Sequence, residues 1–198
     1  MFYNATTNKH GLRHDPFKAL IVPRPIGWIS TLSADGVLNL APYSFFNGVS
    51  TDPHIVMFAS AGRKDSLVNA EATGEFVCNL ASWDQRDQMN ASSATVAPEV
   101  DEFSLAGLAT LPSQTVKPPR VAGAPAHLEC VYLQTVPMVG RDGRHVYDVV
   151  FGEVTCIHID DKFITDGIVN TAAMKPIARL GYHDYAVVDD VFSLKRPG

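Results

Sequence analysis

The residues of this chain best suited to hold a ligand's charge are Arg63-Lys64-Asp65-Ser66. Two cations, a carboxylate and a hydroxyl stand just before a helical pattern over Leu67 to Ala72, and Gly74 follows its end. A helix N-terminus leaves backbone N–H groups unpaired and carries a partial positive charge, so cations and a hydroxyl there suit a phosphate. Asp65 or Ser66 is the expected cap. A capped surface helix with solvated charges would show the same four residues. Ser30 and Thr31 form a second feature, two hydroxyls in a strand-like run beside Trp28. Buried hydroxyls need partners, which either a ligand's oxygens or neighbouring backbone could supply. The third feature is Ala41-Pro42-Tyr43-Ser44, continuing through Phe45 and Phe46 to Asn47. Proline removes a ladder donor and ends pairing, leaving free backbone groups beside aromatic rings. That arrangement suits a flat heteroaromatic ring with polar edges. Together the three features predict a pocket for an aromatic phosphate ester within Arg24 to Leu80.

Other chemistries find no support. Gly-x-Ser-x-Gly and His-Glu-x-x-His are absent, and no pair of carboxylates stands out. No Gly-x-Gly-x-x-Gly follows a strand, which argues against a Rossmann dinucleotide site. A bound redox cofactor would account for a polar pocket with no evident acid, base or nucleophile, so no catalytic side chain is nominated. Cys78, Cys130 and Cys156 show neither zinc spacing nor a Cys-x-x-Cys pattern, and no metal site is expected. All three lie among apolar or strand-like neighbours and read as inert core thiols in a reducing compartment.

The elements that must position these residues are mostly strands. Ile26 to Ser33 and Val37 to Ser44 flank the turn signal Asp35-Gly36. Asp52-Pro53 precedes a buried strand over Ile55 to Ala59, and Glu75 to Leu80 is another. Ser82 and Gln85 have the spacing of a capping box, with a helix following through Met89. Asp101 to Leu108 is a shorter helical piece. Prolines 112, 118, 119 and 125 imply an irregular wrapping loop. Ala126 to Val136 and Val146 to Ile159 make a long hairpin, with Gly152 at an expected bulge. The pattern suggests a closed or nearly closed antiparallel barrel, with a doubly wound parallel sheet as the alternative.

At 198 residues the chain reads as a single domain, 1–198, large enough to bury a core without disulfides or metal. A net charge of −5 argues against nonspecific nucleic-acid binding. No apolar run nears the ~18 residues of a membrane span, and the N-terminal residues lack the pattern of a signal peptide. The expected address is cytoplasmic, with neither nucleic acid nor membrane as partner.

Pro23-Arg24-Pro25-Ile26-Gly27-Trp28-Ile29-Ser30-Thr31, Asn39-Leu40-Ala41-Pro42-Tyr43-Ser44-Phe45-Phe46, Arg63-Lys64-Asp65-Ser66 and Thr73-Gly74-Glu75-Phe76-Val77 resemble the flavin reductase-like family of FMN-binding split barrels. So do Glu129-Cys130, the Gly152 to Asp160 run and Arg179-Leu180-Gly181-Tyr182. The likeness covers nearly the whole chain. It implies a mainly β fold, a six-stranded antiparallel Greek-key split barrel with short peripheral helices. It also implies a homodimer, FMN as cofactor, NADH or NADPH as electron donor, and in some members a monooxygenase component that receives reduced flavin. On that reading Arg63, Lys64, Asp65, Ser66, Ser30 and Thr31 hold the phosphate and ribityl end. Trp28, Ala41, Pro42, Tyr43, Ser44 and Asn47 lie along or beneath the ring, and His183 is the candidate for touching substrate. A flavin-binding electron carrier without nicotinamide turnover is the alternative.

Overall fold

The computed structural model describes residues 1–198. Strand β1, Gly27–Leu32, pairs antiparallel with β2, Leu38–Tyr43. The hairpin closes at Asp35-Gly36, where Gly36 takes φ +84°, a left-handed value that glycine adopts without a Cβ penalty. The chain runs on through Ser44 and Phe45 into β3, Phe46–Thr51, and turns at Asp52-Pro53 into β4, His54–Ala61. Helix α1, Asp65–Thr73, ends at Gly74, whose N–H bonds to the Ala70 carbonyl. Strand β5, Glu75–Leu80, is followed by helix α2, Arg86–Ala91, and the short helix α3, Glu102–Leu105. The long hairpin β6, Ala126–Val139, and β7, His145–Ile159, completes the sheet.

The ladder runs β2-β1-β5-β6-β7-β4-β3, antiparallel at every step. Its two edges, β2 and β3, are consecutive in the chain and separated only by Ser44 and Phe45. The sheet must therefore curl until its edges meet, and an Ala59 N–H bond to the Phe45 carbonyl, 2.8 Å, ties the corner. Counted as one bent strand, residues 38–51 make the barrel six-stranded.

Inside, Ile29, Tyr43, Phe58, Phe76, Cys130 and Val150 pack together, and Leu67 and Ala70 of α1 join the same cluster. Phe58 and Phe76 meet edge to face at 5.5 Å. Phe76 reaches across to Gly152 so closely that a Cβ there would lie 2.3 Å from the ring. The register shifts between Phe151 and Gly152, so the bulge and the missing side chain fall together. A second core outside the barrel joins Trp28 and Leu40 to Met89, Phe103 and Val121. Strand β1 is therefore buried on both faces, and its Ser30 and Thr31 must find partners inside the protein.

Two local expectations fail. Ser82 makes no side-chain cap, and Trp83–Gln85 is a 3₁₀ turn leading into α2. Gln85 points instead to the Ala122 carbonyl at 2.8 Å. At α1 the capping residue is Lys64 in extended conformation, without a side-chain cap bond, so neither Asp65 nor Ser66 fills that role.

Candidate functional site

The uncapped end of α1 opens into a cleft of about 480 Å³, within the usual size of small-molecule sites. Of the residues expected at a site, Ala41, Pro42, Tyr43, Ser44, Arg63, Lys64, Asp65 and Ser66 all line it. The N–H groups of Asp65 and Ser66 find no acceptor in the chain. The Ser66 hydroxyl accepts from Asn39 Nδ2 at 2.9 Å, which leaves its own proton free to donate. Lys64 is exposed and makes no ion pair, whereas Arg63 is tied to Glu71. Strand β2 pairs on one side only. Its outward Leu40 N–H goes to Glu102 Oε2 at 3.0 Å, Pro42 has none, and the Ser44 N–H is left without an acceptor.

Tyr43 lines the cleft, yet its hydroxyl is enclosed within the barrel. Its side chain is 7% exposed, and its hydroxyl has no hydrogen-bond partner. Burial pushes the phenol above its ordinary range. The Ser66 and Ser60 hydroxyls oppose that shift, yet neither makes a bond of good geometry to it. A buried unpaired polar group costs about 1–3 kcal/mol, so this hydroxyl is a local cost carried within the fold.

Five expected residues lie elsewhere. Trp28 is fully buried behind the wall, where its Nε1–H donates to Ser92 Oγ at 2.9 Å. The Ser30 hydroxyl donates to the Pro119 carbonyl at 2.6 Å. Thr31 Oγ1 accepts from Asn39 and Asn69, at 2.9 and 3.1 Å. The Ser30 hydroxyl is thus satisfied within the protein, while Thr31 Oγ1 accepts twice and keeps its own proton to donate. Asn47 is exposed on a neighbouring groove and bonds its side chain to the Gly48 N–H. His183 lines an adjoining cleft of about 420 Å³ that shares Lys18, Pro42, Ser44 and Ser93 with the first.

Sequence reasoning missed the far wall. Lys18, Asn39, Tyr147, Glu102 and the segment 92–98 also line the cleft. Ser92-Ser93 just after a helix and a second acid beside the cap Asp101 were the available signals. Asp101 does cap α3, accepting from the Phe103 N–H at 2.8 Å, and that capping turns Glu102 inward.

A second polar cluster lies under the wrapping loop. The Glu129 side chain is fully buried, and its two oxygens accept from the N–H groups of Gln114 and Thr115, the Thr115 hydroxyl and His158 Nε2. Burial would raise this carboxyl, but those bonds outweigh it and hold it at about 2. Cys156 Sγ lies 3.5 Å from the same His158 nitrogen. At 2.6 Å the His158–Glu129 contact is a direct hydrogen bond, with no room between them for a cation. Cys156 is half-buried, against the expectation of three core thiols, while Cys78 and Cys130 are buried as expected.

A sheet whose two edges are one bent strand, with a cleft at its corner, places this chain among the split-barrel proteins. It belongs to the flavin reductase-like domain family, whose pattern matches residues 19–183. A protein of Aquifex aeolicus without assigned function is 41% identical over 170 residues, spanning 82% of this chain and 83% of its own. Nitrilotriacetate monooxygenase component B from Bacillus cereus superposes with a TM-score of 0.88 at 31% identity, covering 98% of each chain. A split-barrel protein from Shewanella frigidimarina shares the fold at a TM-score of 0.84 and 18% identity, covering 100% of both chains.

Proposed function

We propose that this chain is an FMN-binding oxidoreductase that passes hydride from NADH or NADPH to flavin. The observation that carries the reading is the set of free donors at one end of the cleft, the Asp65 and Ser66 N–H groups of α1, the Ser66 hydroxyl and Lys64. Those N–H groups, the Ser66 hydroxyl and Lys64 would hold the phosphate, a fit of charge and hydrogen-bond sense. The Ala41–Ser44 backbone would lie along the ring edge, where the Ser44 N–H is free to donate. Trp28 and Thr31 act from behind the wall: one fixes Ser92, the other orients Asn39. When bound, FMN supplies a ring that accepts hydride, so the chain needs no side-chain acid for that chemistry. The adjoining cleft with His183 would admit the nicotinamide or the acceptor.

The likeness to a monooxygenase component supports a role in which reduced flavin passes to a partner oxygenase. The test is rapid mixing of the FMN-loaded protein with NADH and with NADPH under anaerobic conditions. Fast loss of the oxidised-flavin absorbance is expected with at least one donor. A protein that binds FMN but bleaches with neither is an electron carrier, and one that binds no FMN ends the reading.

A further inference from the structure

The cleft that would hold FMN phosphate contains two carboxylates, and their charge does not suit a dianion. Facing it are Lys18, Lys64, Asp65 and Glu102, the phenols of Tyr43 and Tyr147, and Arg63, which Glu71 already neutralises. Two free cations thus meet two acids before any ligand arrives. A phosphate monoester brings about two further negative charges at neutral pH. Like charges at close range destabilise one another, and the usual resolution is a proton.

Glu102 is placed to carry that proton. Its side chain is 5% exposed, and the Leu40 N–H pins Oε2 at 3.0 Å. No hydrogen bond from another residue reaches Oε1, and Glu102 lines the cleft. Asp101, next to it, is committed to capping α3, and Asp65 stands in the first turn of α1. We infer that Glu102 binds a proton from solvent when the phosphate group enters, and that its neutral carboxyl then donates a hydrogen bond from Oε1 to a phosphate oxygen. The inference rests on the FMN reading above. Burial already pushes the Glu102 carboxyl up, against the pull of the Leu40 N–H and its own N–H, and the charges of Asp65 and Asp101 push the same way as burial. One pH unit is worth a factor of about ten in affinity for each proton taken up. FMN affinity should therefore fall by up to about tenfold per unit as pH rises through the weakly alkaline range. Riboflavin, which lacks the phosphate, should show no such slope.

Calorimetry tests this on the wild-type protein, with FMN and riboflavin titrated between pH 7 and 8.5 in two buffers of different ionisation enthalpy. Proton uptake near one per site is expected for FMN and none for riboflavin. Glu102→Gln keeps an acceptor for the Leu40 N–H, and should abolish the uptake, flatten the FMN slope and leave riboflavin affinity unchanged. Equal slopes in wild type and variant overturn the inference. So does equal weakening of both ligands in the variant, which would mean an ionised Glu102 holding a polyol hydroxyl. FMN bound with no proton uptake defeats this inference alone, whereas no FMN binding at any pH defeats the functional reading as well. If the variant does not fold, the wild-type measurement in two buffers still decides.

Discussion

Lys64 and Tyr43 separate phosphate recognition from fold stability, because neither side chain is bonded within the chain. A hydrogen bond to a charged group contributes ~1.5–3 kcal/mol, so Lys64→Ala should weaken FMN binding by roughly 10- to 150-fold. Riboflavin binding should be unchanged, and equal loss for both ligands would refute the phosphate assignment. Tyr43→Phe should leave the thermal midpoint of the ligand-free protein unchanged or higher, because the lost hydroxyl is buried without a partner. The buried titratable groups act on stability instead. Burial lowers His127 to about 4, helped by Arg120 and His158. A base lowered in the folded state stabilises fully above its unfolded value near 6.5, and that contribution is lost as pH falls through 4. Glu129, held at about 2, contributes above its usual value and loses that contribution as pH falls from 4.5 through 2. Each step is on the order of 3 kcal/mol. Urea unfolding should therefore weaken first between pH 6.5 and 4.5, and His127→Gln should flatten that window. Native thiol labelling should modify Cys156 alone, since burial pushes the Cys78 thiol well up and Cys130 is enclosed. Labelling of all three at one rate would contradict this placement.

Among the elements, those with strong local signals were legible in the sequence. Asp35-Gly36, the long hairpin and the Gly74 stop need only turn chemistry and alternation, which neighbouring residues carry. Strand β3 was not legible. Its run Phe46–Thr51 contains Gly48 and polar residues, and it is a strand because β4 pairs with it at the barrel corner. The internal bonding of Ser30 and Thr31 was hidden for a related reason. Their partners, Pro119, Asn39 and Asn69, lie 89, 8 and 38 residues away, where spacing along the chain gives no warning. That Arg63 to Ser66 line a cleft was legible because a helix N-terminus and its cations are contiguous. The bulge in β7 makes an element-scale prediction. Gly152→Ala would put a methyl 2.3 Å from Phe76 Cζ, so the ring or the strand must shift. A cost of about 1–3 kcal/mol or more is expected, read as a lower urea midpoint at unchanged slope. An unchanged midpoint would show that the corner yields freely.

For the whole molecule, the apolar residues left outside the barrel bear on assembly. Val131, Leu133, Met138, Val139, Val146 and Ile157 on β6 and β7 are all at least 41% exposed. A surface of that kind suits a second copy of the chain. Sedimentation should give twice the 21.5 kDa chain mass at micromolar concentration, and a monomer throughout would refute the homodimer. The bond from Trp28 to Ser92 has an optical consequence. Of the two tryptophans, Trp28 is wholly enclosed and touches a residue of the cleft wall, while Trp83 is 44% exposed and carries Arg86 over its ring at 4.2 Å. The enclosed indole emits to the blue and the exposed one to the red, so one spectrum holds a reporter behind the cleft and a reference at the surface. A coloured ligand in the cleft would dim the blue component, and the chain would signal its own occupancy with no dye attached.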